Sequence, residues 1–462
     1  MKRYLALMLF ISLHTLAHNN NASTQDQTTQ QQSPLQFVNF MFTDLSGKLR
    51  EVTCPAWMID SAIQNGLCFD GSSIPGCTSI RESDLVLKPD INASRDVPWT
   101  QGQERTASVI CDIYRDATTP YSACPRHILK NVLGRAHAMG YEFFVGPELE
   151  FFLLKQDDNH KSTPCDTKKY FEIETNLRMG RFKKLLLNAL MQQNISVEKL
   201  HHEVACGQHE MSLRYGNALD IADQVMLAKH TIYTLAPEFG LQATFLPKPI
   251  FGQNGSAMHV HFSLYDTINT CNAFYDVQDP YKLSETAHYF IAGILHRIEA
   301  MTAILNPIVN SYKRLVPGYE APILICWGSK NRSALIRIPY VNQDQASGVR
   351  AEIRSPDAAS NPYLVFAALL HAGLEGIKYK EALQPAVEDN LYKYTPDMLA
   401  AKKINSLPHS LGNALHALEK NTFAAELLGE RGLHEFMELK TKELHDFNTA
   451  VTDWELAHYS DI

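Results

Sequence analysis

Apolar and polar positions along the chain alternate at two periods. Phe37 to Phe42 has the apolar-rich composition of a strand, Asp44-Leu-Ser-Gly47 reads as a turn, and Lys48 to Val52 reads as the returning strand. Small antiparallel β structure is expected there. Tyr121-Ser-Ala-Cys-Pro125 reads as a boundary, followed by a helix over Arg126–His137. Strands are predicted over Tyr141–Leu154, Leu241–Pro247, Met258–Leu264, Ile323–Trp327, Ala334–Ile338 and Gly348–Ile353. Helices are predicted over Arg181–Gln193, Ala218–Leu235, Leu283–Leu305 and Pro362–Lys378, and the segment Thr395–Glu455 reads as mostly helical and charged.

This pattern makes an α+β protein in two folded units, residues 36–125 and 126–462, behind a tail over residues 1–35. The 462 residues are 45% apolar and 20% charged, which allows two or more packed units and excludes a disordered or collagen-like polymer. With 42 Lys and Arg against 50 Asp and Glu and no basic block, no nucleic-acid partner is expected. The nine cysteines are scattered and never spaced Cys-x-x-Cys, so reduced thiols are expected rather than a disulfide framework or a thiolate zinc site. Met1-Lys-Arg3 followed by the apolar run Tyr4–Leu13 is signal-like, with a loose cleavage match at Thr15-Leu-Ala17. Beyond that run no segment is apolar for long enough to span a bilayer, and no stable membrane association is expected.

No Gly-x-x-x-x-Gly-Lys-Ser/Thr and no Gly-x-Gly-x-x-Gly is present, so a nucleotide would have to be held without either phosphate cradle. Ionisable residues instead recur two apart on predicted strands: Glu148 and Glu150, His259 and His261, and Arg350, Glu352 and Arg354. Residues i and i+2 share a face of a strand. Two glutamates on one face of an apolar strand repel each other and resist burial unless a cation or protons intervene. Glu203 and Glu210 add carboxylates, and a donor set with so few imidazoles favours Mg²⁺ or Mn²⁺ over zinc. Taken singly, His201, His202 and His209 read as surface or supporting groups. Arg314, Arg332, Arg337, Arg350 and Arg354 cluster in sequence, and converging guanidinium forks suit carboxylate and phosphate oxygens.

At these residues the sequence resembles glutamine synthetase, in its type I prokaryotic form, from about Gln36 to the C-terminus. The resemblance runs in order through Phe69–Ile74, Gly146–Phe152, His201–Glu210, Phe245–Pro249, Asn254–Ser263, Asn310–Pro322, Asn331–Arg337, Arg350–Arg354 and Asn361–Leu364. It implies a β-grasp-like N-terminal domain and a large catalytic domain with a curved antiparallel sheet flanked by helices. It also implies two divalent ions per site, one on Glu150, Glu203 and Glu210 and the other on Glu148, His259 and Glu352. ATP, the co-substrate, would meet Glu198, Tyr215, His261, Ser263, Arg332 and Arg337. L-Glutamate would be held by Asn254, Gly255, Arg314 and Arg354 under a flap carrying Glu320. Asp70 of a neighbouring subunit, with Ser73 and Tyr170 near, would bind ammonium and take its proton.

The implied reaction joins ammonia to the γ-carboxylate of glutamate through a γ-glutamyl phosphate, with Asp70, Glu320 and Arg332 as catalytic groups, in a cytoplasmic dodecamer of two stacked hexameric rings. The chain lacks the insertion of the adenylylated subclass and so resembles the shorter one. It carries Lys168-Lys169 where the family often has Gly-Gly before the position of Tyr170. The rival readings are a γ-glutamyl-amine ligase and a silent structural ring; Asp70, Ser73 and Glu320 disfavour the first, and the six metal-type ligands disfavour the second.

Overall fold

The computed structural model describes residues 33–156, 162–341 and 345–462. The signal-like run lies outside the described residues. The first unit is built on β1 (Phe37–Thr43), β2 (Leu49–Pro55), helix α1 (Ile59–Asn65), β3 (Leu67–Asp70), β4 (Asp84–Asp96) and β5 (Thr106–Tyr114). The β1–β2 hairpin forms as expected, turning at Asp44, whose carboxylate accepts from Ser46 Oγ and the Lys48 N–H. The antiparallel start is as expected, and the pattern did not show that β1 also lies parallel to β5, in the strand order β2-β1-β5-β4-β3. Parallel neighbours need a long crossover, and residues 44–105 supply it through α1, β3 and β4. Val38, Phe40, Leu85, Leu87, Val109 and Ile113 fill the core of this β-grasp unit.

The second unit opens with α2 (Pro125–Ala138), whose Pro at the first helical position needs no hydrogen-bond acceptor. Then come β6 (Tyr141–Gln156), β7 (Ser162–Pro164), α3 (Leu177–Gln192), β8 (Val197–His202), β9 (Gln208–Leu213), β10 (Gly216–Asn217), α4 (Ala218–Leu235), β11 (Gln242–Thr244), β12 (Met258–Asp266) and β13 (Cys271–Asn272). Helices α5 (Glu285–Leu305) and α6 (Ser311–Arg314), strands β14 (Trp327–Ser329), β15 (Ile336–Ile338) and β16 (Ala351–Ile353), and helix α7 (Pro362–Tyr379) follow. Four further helices span Pro396–Lys402, Leu411–Glu419, Thr422–Thr449 and Asp453–Tyr459.

The large sheet runs β14-β15-β16-β12-β6-β9-β8, with β6 also pairing β7, β10 and β11. All its pairs are antiparallel except β14 with β15. The strand expected over Ile323–Trp327 starts only at Trp327, because Leu324 and Cys326 are drawn into a separate apolar cluster with Ala334, Leu391 and Ile404. The strand expected over Gly348–Ile353 shortens to Ala351–Ile353, since Ala346–Gly348 forms a 3-10 turn.

Helices α5 and α7 pack closely beside the sheet, and the closeness depends on glycine. A Cβ on Gly293 would stand 2.2 Å from the Ala372 carbonyl, and one on Gly376 would stand 2.1 Å from the Tyr289 carbonyl. The two units are joined through Arg126, which is buried and reaches Asp90 and Asp112 of the first unit and Asp223 of α4 at 2.8–3.2 Å. Tyr363 adds a 2.6 Å hydrogen bond to Asp223. Satisfying a buried guanidinium this fully is what makes its burial tolerable.

Candidate active site

Strand register sets the site. Glu148 on β6 stands opposite His259 on β12, Glu150 opposite Glu210 on β9, and Glu210 in turn opposite His201 on β8. On the other flank His261 is opposite Glu352 on β16, which is opposite Arg337 on β15. Cross-strand partners share a face, so six strands deliver their ionisable side chains to one surface. That surface lines a cleft of about 480 Å³ holding Glu148, Glu150, Glu203, Glu210, His259, Asn254, Gly255, Arg314, Glu320, Arg332, Arg337, Arg354 and Tyr170. A second cavity of about 280 Å³ is lined by Glu198, Tyr215, His261, Ser263 and Arg350 and meets the first at Glu148.

The side chains in the cleft are held by specific partners. Glu148 lies 3.5 Å from His259 Nδ1 and 3.2 Å from His261 Nε2. Burial works against its charge, yet the two imidazoles outweigh burial and hold it far below the carboxylate range. Glu352 is fully buried between Arg337 Nη1 and Arg354 Nη1, each at 2.7 Å. Burial raises it, but Arg354, His261, His259 and Arg337 together pull it down to about 2. Arg350 Nε donates to His261 Nδ1 at 3.2 Å, orienting the imidazole toward Glu148.

The opposite side of the cleft is short of positive charge. Glu150 accepts from Gln208 Nε2 at 3.0 Å and from the Ala257 N–H at 2.9 Å, and Glu210 Oε1 lies 3.1 Å from His201 Nε2. Burial first, then Glu203 and Glu210, push Glu150 up to about 8; burial and Glu210 push Glu203 up to about 7. Carboxylates raised by one another hold protons that a divalent cation would displace, so this donor set fits a hard cation. Three overlapping groups bring one ligand atom per residue within 4.8 Å: Glu148, Glu210 and His259; Glu148, His261 and Glu352; and His201, Glu203 and Glu210.

Gly255 is required for close approach, because a Cβ there would stand 2.1 Å from the Pro247 carbonyl. Arg314 behind it is buried and donates to the Ser355 and Arg354 carbonyls at 2.8 and 3.1 Å. Glu320 sits on an exposed loop at φ 59° and accepts from Asn254 Nδ2 at 3.1 Å, while Lys248 Nζ lies 3.5 Å from the centre of the neighbouring Tyr319 ring. Asp70 and Ser73 stand apart from this cleft, exposed on the first unit. Ser72 and Ser73 bond to the Asp70 carboxylate and keep it below its usual range.

Residues 122–459 match the glutamine synthetase catalytic domain, and residues 34–116 match the glutamine synthetase β-grasp domain. The chain belongs to the glutamine synthetase family. It is 44% identical over 436 residues to the glutamine synthetase of Methanocaldococcus jannaschii, covering 92% of this chain and 95% of that one. Among solved structures, a GmaS complex with ADP superposes with a TM-score of 0.83 at 30% identity, over 93% of this chain and 97% of that one. A Plasmodium falciparum glutamine synthetase superposes with a TM-score of 0.81 at 28% identity, covering 92% of this chain and 96% of that one.

In this glutamine synthetase fold the cleft also recruits residues that sequence reasoning left without a role. Gln208 and His201 tie down Glu150 and Glu210, and Lys199 and Tyr319 line the wall. Gln208 lies two before Glu210 and His201 two before Glu203, so the two-residue spacing that exposed the glutamate pair also marks them. Of the two readings for His202 and His209 the surface one does not hold: both are buried, on the face of the β8–β9 hairpin turned away from the cleft. All nine cysteines are free thiols, as expected. Lys168, in place of a glycine, pairs with Glu174 at 2.6 Å.

Proposed function

We propose that the two adjoining cavities hold glutamate and ATP on either side of Glu148, in a type I enzyme of the shorter subclass. The chain is a glutamate–ammonia ligase, forming L-glutamine, ADP and phosphate from L-glutamate, ammonia and ATP. The observation that carries the residue assignments is the single cleft in which Glu148, Glu150, Glu203 and Glu210 converge with His259 and the four arginines Arg314, Arg332, Arg337 and Arg354. Glu150, Glu203 and Glu210 would hold one divalent ion, and Glu148, His259 and Glu352 the other, Mg²⁺ or Mn²⁺ by donor type. Bound there, the ions supply positive charge to the ATP phosphates.

The chain's own residues do the rest. Glu198, Tyr215, His261 and Ser263 receive the nucleoside end, and Arg332 and Arg337 the phosphates. Asn254, Gly255, Arg314 and Arg354 grip the amino acid so that a γ-carboxylate oxygen attacks the γ-phosphorus, forming a C–O–P link as the bond to ADP breaks. Asp70 of a neighbouring subunit, beside Ser73 and Tyr170, takes a proton from ammonium; the ammonia formed attacks the acyl carbon, the C–O bond to phosphate breaks, and the departing phosphate carries off the proton that the nitrogen sheds. Glu320, carried on its loop, keeps water from the acyl phosphate. A site shared between subunits fits the ring-shaped dodecamer of the resemblance, and dependence on ATP fits the cytoplasm. Among the described residues no helix is long and apolar enough to cross a membrane.

An acceptor panel tests this reading. Ammonium should give glutamine and ADP in equal amounts, with methylamine and polyamines at least about 10²-fold poorer in kcat/KM. A higher kcat/KM for an amine would overturn the assignment of the ammonium pocket.

A further inference from the structure

The β8–β9 hairpin has a second chemical face. His201 and Glu210 pair across it toward the cleft, so the next pair, His202 and His209, points to the reverse side. There the two rings lie with centroids 5.0 Å apart, and His209 stacks on Phe151. Both histidines are buried, and both present Nδ1 to a backbone carbonyl: His202 to Glu203 at 2.6 Å, His209 to Gly207 at 3.3 Å. A carbonyl only accepts, so each Nδ1 carries hydrogen and each Nε2 is left as the ligand nitrogen.

One of these Nε2 atoms meets a carboxylate and the other, among the described residues, meets no partner. His202 Nε2 is 3.0 Å from Asp166 Oδ1, a second acceptor for a ring whose first nitrogen already donates. His209 Nε2 is buried with no hydrogen-bond partner among the described residues. One ligand atom each from Asp166, His202 and His209 lies within 4.8 Å of the others. Asp166 Oδ1 is steadied by the Gly207 and Lys168 N–H groups at 2.9 and 3.3 Å. Metal-bound histidines characteristically donate their other nitrogen to a carbonyl or carboxylate, which is the arrangement both rings already have.

We propose that Asp166, His202 and His209 form a separate cation site for a borderline transition ion of the Zn²⁺ class. Two imidazoles and one carboxylate select such an ion over Mg²⁺, in contrast to the carboxylate-rich cleft on the opposite face. The site shares no residue with the lining of the cleft. Its ion would cross-link the loop carrying Asp166 to the hairpin that presents Glu203 and Glu210, and so brace that hairpin from behind.

The test uses the full chain, stripped of metal, equilibrated with Zn²⁺ in a large excess of Mg²⁺ to fill the cleft, desalted and assayed for zinc by mass spectrometry. One retained zinc per chain is expected. It should persist in Glu150→Gln and weaken at least about 10²-fold in His209→Gln and Asp166→Asn. No retained zinc, or retention unchanged in His209→Gln, would overturn the proposal. Titration of the unsubstituted protein with Co²⁺ under the same Mg²⁺ excess decides the matter independently of whether the variants fold. Intense tetrahedral d–d absorption supports the site, and only weak octahedral absorption contradicts it.

Discussion

Glu150 is buried against Glu203 and Glu210, and among the described residues it is bonded to Gln208 and a backbone N–H but to no guanidinium or ammonium. Its carboxyl is raised to about 8, so without metal the folded chain keeps a proton that an unfolded glutamate releases at about 4.3. Proton uptake on folding means that stability is greatest at low pH within this window and falls as pH rises from about 5 toward 8; Glu203, raised to about 7, acts in the same direction. Melting curves of the metal-free protein should therefore shift down across that range, and Glu150→Gln should flatten the slope by an amount on the order of a few kcal/mol at its upper end. A slope unchanged by the substitution would contradict the shift. The glutamate pair was legible because i and i+2 share a strand face, whereas the identity of each partner was not. That depends on register, which aligns Glu150 with Glu210 and Glu148 with His259 from segments about 60 and 110 residues away.

At the scale of elements, the long helices were readable from periodicity. Ala218–Leu235 forms with the bounds expected, and Pro362 starts its helix as a proline at the first position should. The short strands β14 and β16 were harder, because competing apolar clusters and a 3-10 turn set their ends, and neither signal is local in sequence. The parallel pairing of β1 with β5 was hidden for the same reason. The loop carrying Tyr319 and Glu320 is pinned in two places, by Asn254 on the Glu320 carboxylate and by Lys248 against the Tyr319 ring. Glu320→Ala keeps the nucleotide cavity intact and removes one of these pins. The variant should still consume ATP in the presence of glutamate but release more ADP than glutamine, as water reaches the acyl phosphate. ADP and glutamine remaining equal would show that this side chain does not exclude water.

Over the whole molecule, Asp70 and Ser73 lie on the β-grasp unit while the ionisable cleft lies in the catalytic unit, and neither residue is among the described residues that line the cleft. A site completed by a neighbouring copy makes a quantitative prediction. Asp70→Asn and Glu352→Gln should each be inactive alone, and subunits of the two refolded together should recover about a quarter of wild-type activity, since random mixing pairs an intact Asp70 with an intact cleft at that frequency. No recovery in mixed assemblies verified by native mass spectrometry would contradict a shared site. The central claim is that the carboxylates of β6, β9, β16 and the β8–β9 turn, with His259 of β12, surround divalent cations beside ATP. An anomalous difference map from crystals grown with Mn²⁺ and ADP tests it most directly. The account predicts one peak among Glu150, Glu203 and Glu210 and a second among Glu148, His259 and Glu352, whereas a map without manganese at these carboxylates would contradict it.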